Sequence, residues 1–296
     1  MKIYDCTMFF DESMIFELRL NVLDKFVDKF VVTESLFTHS GKRKKQNFNI
    51  NHYPKFKDKI IYILLDKEPE NLYEINENTK DKVGLLRMNS LKRIQKQYNA
   101  LSIGLKDASD DDLILLSDCD EIPDLSNFDK NILNNNILLF KQKIYYYKFN
   151  LQHSGLEWFG TKGCKKKNLI TFEWLRNIKN KKYNFWRLDA YFSKTKYTNV
   201  KIINNGGWHF SKIKDAKDIY YTLSNYGEHN EFELSGIKEE DINNLINNYE
   251  LYFNHSGDKK SENKYNSKIK LEKVTIKNMP KYLIENQTKY KKWLVE

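Results

Sequence analysis

The chain has 296 residues, 40% of them hydrophobic and 14% aromatic, which is enough to pack a core in one large domain or two small ones and excludes disorder throughout. Its three cysteines, Cys6, Cys119 and Cys164, are odd in number and far apart and form no C-x-x-C pair, so neither a disulfide framework nor a cysteine-rich zinc site is indicated and a reducing compartment fits best. The formal net charge of +10 invites a nucleic-acid reading. However, the lysines are spread along the chain among abundant Asn, Ile and Tyr (NILNNNI, KIYYYK, DINNLINNYE), and only residues 42–45 and 165–167 form clusters suited to phosphate.

Residues 2–10 alternate and are rich in aromatics, predicting a strand. A helix follows, with Ser13 as N-cap and Ile15, Leu18, Val22 and Phe26 on one apolar face. KFVVTES (29–35) and KIIYILL (59–65) read as short buried strands, giving a β-α-β beginning. Between them THSGKRKKQNF is a polar, basic loop at the carboxyl end of a strand, where ligands bind in α/β sheets. A helical pattern covers 83–105, DDLILLS is an apolar strand of the kind buried on both faces, and LSNFDKNIL reads as a helix with Ser126 and Asp129 in a capping box.

The second half is less regular. ILLFKQKIYYYKF (137–149) is strand-like, HSGLEWFGTKGCKKK (153–167) reads as a loop, NLITFEWLRN (168–177) as a short helix and FWRLDAYF (185–192) as a strand. NNGGWHFSKI gives a glycine break and then a strand. Ala216, Ile219, Leu223 and Tyr226 mark one amphipathic helix, and Ile242, Leu245, Ile246 and Tyr249 another. The expected division is a domain over 1–255 and a loosely attached, lysine-rich extension over 256–296.

The chemistry concentrates at SDCDEIPD, where Asp118, Asp120, Glu121 and Asp124 crowd the end of a buried strand. Such carboxylates raise each other's pKa unless a cation or a hydrogen-bond network compensates. In extended backbone Asp118 and Asp120 project to one side and Cys119 to the other, and hard divalent cations are commonly held by one or two carboxylates plus substrate phosphates. Solvated helix capping is the alternative, and it suits Asp124.

SDCDEIP, together with VVTESLFTHSGKRK, NALSIGLKDASDDDLILL, WFGTKGCKKKNL and GGWHFS, resembles glycosyltransferase family 17 from Tyr4 to about Phe253. The resemblance implies a GT-A type α/β fold with a mixed, mainly parallel central sheet flanked by helices. It also implies a UDP-sugar donor, UDP-N-acetylglucosamine by its β-1,4-N-acetylglucosaminyltransferase members, a D-x-D-bound Mn²⁺ or Mg²⁺, and inversion at the anomeric carbon. Where the family shows Arg in a Q-R-N-A segment, this chain carries Tyr98.

Site roles follow from these readings. Asp120 is expected to ligate the metal, and Asp118 to ligate it or contact the ribose or a metal-bound water. His209, on the face of its strand opposite Trp208 and Phe210, completes the metal shell or reaches the diphosphate, or is structural. Glu34, Thr38, Ser40 and Lys42 are positioned for donor contacts, with loop solvation as the alternative. Glu157, Glu173 and Asp189 are the acids available as general base, none singled out by spacing. The expected acceptor is a glycan, the expected location cytoplasmic, since no segment is long and apolar enough to span a bilayer. A metal-dependent nuclease or nucleotidyltransferase, needing a further acidic pair where only Asp5 is evident, and a non-catalytic basic nucleic-acid-binding protein are the competing functions.

Overall fold

The computed structural model describes residues 1–133, 137–180, 186, 192–193, 199–254 and 269–296. Four apolar segments of the first half form strands β1 (Ile3–Met8), β2 (Lys29–Ser35), β3 (Ile60–Leu65) and β4 (Leu113–Asp118), paired in parallel in the order β3-β2-β1-β4. Side chains of a strand alternate between faces, and here both faces are covered, so the alternation divides one run between two cores. Leu113 and Leu115 of β4 join a core under helix α1 (Ser13–Leu23) with Phe16 and Leu20. Ile114 and Leu116 join the opposite core with Tyr98 and Leu101, at the end of helix α2 (Lys82–Ala100). This is why LILL reads as unbroken apolar sequence.

The second half adds β5 (Glu121–Pro123), β6 (Ile137–Tyr146), β7 (Leu151–Lys165), helix α3 (Phe172–Asn177), β8 (Val200–Ile203) and β9 (Gly207–Ser211). Helices α4 (Ala216–Leu223), α5 (His229–Leu234) and α6 (Glu239–Asn247), strand β10 (Glu272–Lys273) and helix α7 (Lys281–Glu285) complete the described chain. One sheet runs β3-β2-β1-β4-β7-β6-β9-β5, with β10 on β7 and β8 on β6. The fold is α/β as expected, but the sheet is mixed rather than mainly parallel. Strand β7 lies antiparallel to both β4 and β6, β5 is antiparallel to β9, and β10 to β7.

Because β7 reverses twice, β6 and its parallel partner β9 point the same way as β1, β2 and β4. The carboxyl ends of all five strands, at Met8, Ser35, Asp118, Tyr146 and Ser211, therefore meet along one edge of the sheet.

Three sequence expectations change. Residues 153–167, read as a loop, lie almost wholly in β7. Its glycines mark close approach rather than a turn: a Cβ on Gly160 would stand 2.2 Å from Gln142 Oε1, and one on Gly163 2.8 Å from Leu115 Cδ2. Residues 125–133 form no α-helix. Asp124 Oδ1 takes the Ser126 N–H at 2.9 Å in a local turn, followed by a single 3₁₀ turn at Lys130–Leu133. The segment 269–296 is tied down, with Met279, Leu283 and Tyr290 buried in the α1 core and Phe149 N–H donating to Trp293 O at 2.8 Å. The strand expected at 185–192 falls almost entirely outside the described residues.

One polar pair links helix α1 to the sheet. Arg19 and Asp5 are both fully buried, with Arg19 Nε donating to Asp5 Oδ2 at 2.7 Å and Nη2 to Oδ1 at 2.5 Å. Removing one partner of such a pair leaves an uncompensated buried charge. Arg19→Met is expected to cost about 3–5 kcal/mol, read as a lowered denaturant midpoint. Combined with Asp5→Asn it should cost less than the sum of the single changes; strict additivity would show that the two groups do not act as a pair.

Candidate active site

The meeting of strand ends opens a cavity of about 450 Å³. The turn after β4 supplies Asp118, Cys119 and Asp120, the end of β1 supplies Phe9, Phe10 and Glu12, and the end of β9 supplies His209, Ser211 and Lys212. Helix α2 contributes Gln97 and Tyr98 deep in the cavity and Leu91 and Ile94 on its apolar wall, which Leu223 and Phe232 continue.

The acidic turn is held from below by the same guanidinium that pairs Asp5. Arg19 Nη1 donates to the carbonyl oxygens of Asp118 (3.3 Å), Cys119 (3.4 Å) and Glu121 (2.8 Å), and Nη2 to Ser117 Oγ (2.6 Å). Glu121 turns inward, accepting from the Asp118 N–H at 2.9 Å and Trp158 Nε1 at 2.7 Å. Burial, and after it the Asp118 charge, push the Glu121 carboxyl up. It braces the turn and is not among the cavity-lining residues.

Asp118 and Asp120 both face the cavity, but through a turn rather than by the alternation of extended backbone, since β4 ends at Asp118 and Cys119 lines the cavity too; the two acids keep different company. Asp118 accepts from the Tyr98 hydroxyl and, at 3.1 Å, from Arg176 Nη2. Arg176 also lies over the Tyr98 ring, 5.1 Å from its centroid. Asp120 Oδ2 lies 3.5 Å from His209 Nε2. Burial opposes ionisation of Asp120, yet His209 and Lys212 hold its carboxyl below the usual range. For His209, burial is again outweighed by Asp120, and the imidazole is raised above its ordinary value. His209 and Ser211 share one face of β9 while Trp208 and Phe210 pack into the α1 core, as expected.

A fit to a divalent cation can be tested on these groups. Among the described residues no three or more His, Cys, Asp or Glu side chains form a ready-made metal cluster. His209 turns Nε2 toward Asp120 Oδ2 across 3.5 Å, a gap two ligands of one cation can share, while its Nδ1 is buried without a hydrogen-bond partner among the described residues, so no hydrogen bond there fixes the ring's tautomer. An imidazole and one or two carboxylates on the wall of this cavity suit a cation that completes its shell with substrate oxygens and water.

The remaining sequence candidates separate. Glu34 is buried and accepts from Lys44 Nζ, the N–H groups of Asn47 (2.7 Å) and Phe48 (3.0 Å), and Tyr62 OH (2.8 Å). It anchors the loop and does not line the cavity. Thr38 bonds Ser40 Oγ (2.8 Å) and the Lys42 N–H (3.0 Å), and Ser40 Oγ donates to Asn225 Oδ1 (3.3 Å). Thr38, Ser40 and Lys42 thus shape the loop, which presents Ser35, Phe37, His39 and Lys44 to the cavity instead. Glu173 lies outside the cavity and accepts from Gln95, while Glu157 pairs on the surface with Lys141. Asp189 lies outside the described residues. The basic clusters are engaged in folding: Lys165 and Lys167 both reach Asp111 at 3.0 Å, and Lys166 donates to Ala108 O.

Three residues that sequence reasoning passed over stand here. Arg176 supplies a guanidinium over the Tyr98 ring. Lys212 has a left-handed backbone, φ 55°, and its amine lies 4.3 Å from the Tyr226 ring centroid. Burial pushes that amine down to about 8. Such backbone strain in a bulky residue concentrates at functional sites. Glu12, expected to precede a Ser13 cap, is itself the N-cap residue but does not cap α1 with its side chain.

The family model of glycosyltransferase family 17 matches residues 1–295. No curated protein matches the sequence. Among solved structures, HddC from Yersinia pseudotuberculosis is 11% identical with a TM-score of 0.35, covering 70% of this chain and 92% of that one. HddC from the same organism complexed with GMP-PN is 12% identical with a TM-score of 0.31, covering 69% and 90%. Likenesses at that level carry no argument about this chain.

His39 gives the cavity a pH dependence that can be measured without a ligand. Its ring stacks on Tyr226 at 5.8 Å, with Nε2 3.4 Å from Gln97 Oε1. Burial lowers its pKa from 6.5 to about 4. The folded state disfavours the protonated ring, so the stabilising contribution is full above the unfolded value and is lost as pH falls from about 6.5 to about 4. His39→Gln should flatten the fall in thermal midpoint over that window relative to the wild type; parallel curves would show that His39 titrates as in the unfolded chain.

Proposed function

The chain belongs to glycosyltransferase family 17, and from that premise we propose that it transfers a sugar, N-acetylglucosamine, from a UDP-linked donor to a glycan hydroxyl with inversion, assisted by Mn²⁺ or Mg²⁺. The observation that supports this reading is the pairing of the Asp118–Asp120 turn with His209 across one cavity at the carboxyl ends of the strands. Asp120 and His209 would hold the cation, with Asp118 beside them. When bound, it neutralises charge on the departing diphosphate as a Lewis acid in place of a proton donor.

The residues around that position have complementary tasks. Arg176 and Lys212 are cations on the cavity wall that can meet the donor's phosphate oxygens, Arg176 by exchanging part of its contact with Asp118. Phe10, Phe37 and His39 offer flat surfaces at the β1 and β2 ends for a nucleoside base. The apolar wall of Leu91, Ile94, Leu223 and Phe232 excludes water beside the reacting centre and so strengthens the electrostatic interactions there. Among the described residues no helix is long and apolar enough to cross a membrane. The acceptor is proposed as a glycan on the basis of the family alone.

UDP is expected to bind with Mn²⁺ or Mg²⁺ present and much more weakly after chelation, and equal affinities by calorimetry would remove the metal from this reading. UDP-N-acetylglucosamine should be turned over faster than UDP-glucose, UDP-galactose or a GDP-sugar in a direct comparison of nucleotide release. Asp120→Asn keeps the shape and removes an anionic ligand, so turnover should fall about a hundredfold or more; because His209 and Lys212 favour the ionised carboxyl, the metal-free melting temperature should fall modestly while the variant stays folded. Normal turnover by that variant would refute the assignment of Asp120.

A further inference from the structure

We infer that Glu12 is the general base of the transfer, the group that takes the proton from the acceptor hydroxyl as its oxygen attacks the anomeric carbon. The inference rests on the transferase reading above and adds the catalytic residue that reading lacks. Among the described residues four carboxylates line the cavity: Glu12, Asp118, Asp120 and Glu228. Asp118 has one oxygen on Tyr98 and the other on Arg176, and Asp120 faces His209. Glu228 is exposed to solvent at the N-terminus of α5, with nothing to fix its orientation or shield it from water.

Glu12 differs from all three. Its Oε2 is fixed by the backbone N–H groups of Phe10 at 2.9 Å and Asp11 at 3.0 Å. Its Oε1 accepts one hydroxyl, from Tyr226 at 3.1 Å. A carboxylate oxygen accepts two hydrogen bonds, so Oε1 retains a position for an acceptor hydroxyl while Oε2 keeps the group from turning. Glu12 thereby joins the β1 end of the cavity to the turn after α4, spanning the half that bears the aspartates and the half with the apolar wall. Burial raises its carboxyl, the largest influence on it, with Lys214 opposing. A base raised toward neutrality transfers protons better in both directions.

In the step itself, the proton of the acceptor O–H passes to Glu12 Oε1. The hydroxyl oxygen's electron pair forms the new bond to the anomeric carbon, while the bond from that carbon to the diphosphate oxygen breaks and its electron pair leaves on the diphosphate. Glu12 returns its proton to water once the product has left.

The experiment compares the wild type, Glu12→Gln, Glu12→Ala and Asp120→Asn with the nucleotide sugar that the wild type turns over, water as acceptor, and then added azide. Glu12→Gln preserves the amide-compatible hydrogen bonds and guards against a folding defect, which melting curves check. Both Glu12 variants should bind UDP as the wild type does and release it about a hundredfold or more slowly with water as acceptor. Azide is already an anion and needs no base, so it should restore release by Glu12→Ala, with an inverted glycosyl azide as product, and should not restore Asp120→Asn. Turnover of Glu12→Gln near the wild-type rate, or a folded, UDP-binding Glu12→Ala that azide leaves slow, would overturn the assignment of Glu12 alone. A wild type that releases UDP from no donor would instead overturn the transferase reading, and the base with it.

Discussion

The site depends on one buried cation. Arg19 reaches from helix α1 through the core, pairs with Asp5 of β1, and places its remaining N–H groups on Ser117 and on the carbonyl oxygens of three residues in the acidic turn. A guanidinium presents five donors in a fixed plane, and here that plane fixes the path of the backbone on which Asp118 and Asp120 stand. A buried ion pair is weak evidence of net stability. Its value here is positional: a turn whose carboxylates repel one another would otherwise relax apart, and a functional group set loose by an ångström loses much of its effect.

Above that support, each acid has its own partner. Glu121 is enclosed by Trp158 and the Asp118 N–H, Asp118 by Tyr98 and Arg176, and Asp120 by His209. Three carboxylates in four residues stay together because every one meets a donor from a different element: β7, α2, α3 and β9. The partners also differ in how readily they release. Tyr98 is fully buried, whereas the Arg176 side chain is 39% exposed, so an anion in the cavity would compete with Asp118 for Arg176 more easily than for Tyr98.

Much of this was legible in the sequence, and the omissions have physical reasons. Strand β4 announces itself because burial on both faces demands a continuous apolar run, and D-x-D at its end points to a cavity without further help. Strand β7 was not legible, since its glycines, placed for close approach to Gln142 and Leu115, are the same residues that mark turns. Arg19 was hidden for a related reason. It falls between Leu18 and Leu20 in an amphipathic helix, where an arginine reads as surface, and only the fold shows it turned inward onto Asp5. Glu34 misled in the other direction: the end of a strand before a polar loop is where a ligand contact is expected, yet four donors from the loop and β3 consume its carboxylate. Alternation explains the correction, since with Glu34 committed to the loop the residues at 35, 37 and 39 face the cavity.

The charge of the chain is resolved by the same accounting of partners. The lysines of the clusters at 42–45 and 165–167 that made a phosphate site thinkable are largely spent within the fold, Lys44 on Glu34 and Lys165 and Lys167 on Asp111. Lys44 reaches the cavity while paired with Glu34, and the other cations lining it come from isolated positions, Arg87 in α2, Arg176 in α3 and Lys212 after β9. Lys212 stands in a left-handed conformation that disfavours any side chain and in burial that disfavours its charge. Neither cost serves the packing of β9, whose apolar residue Phe210 faces the other way. An anion beside the amine would offset the cost of burying its charge.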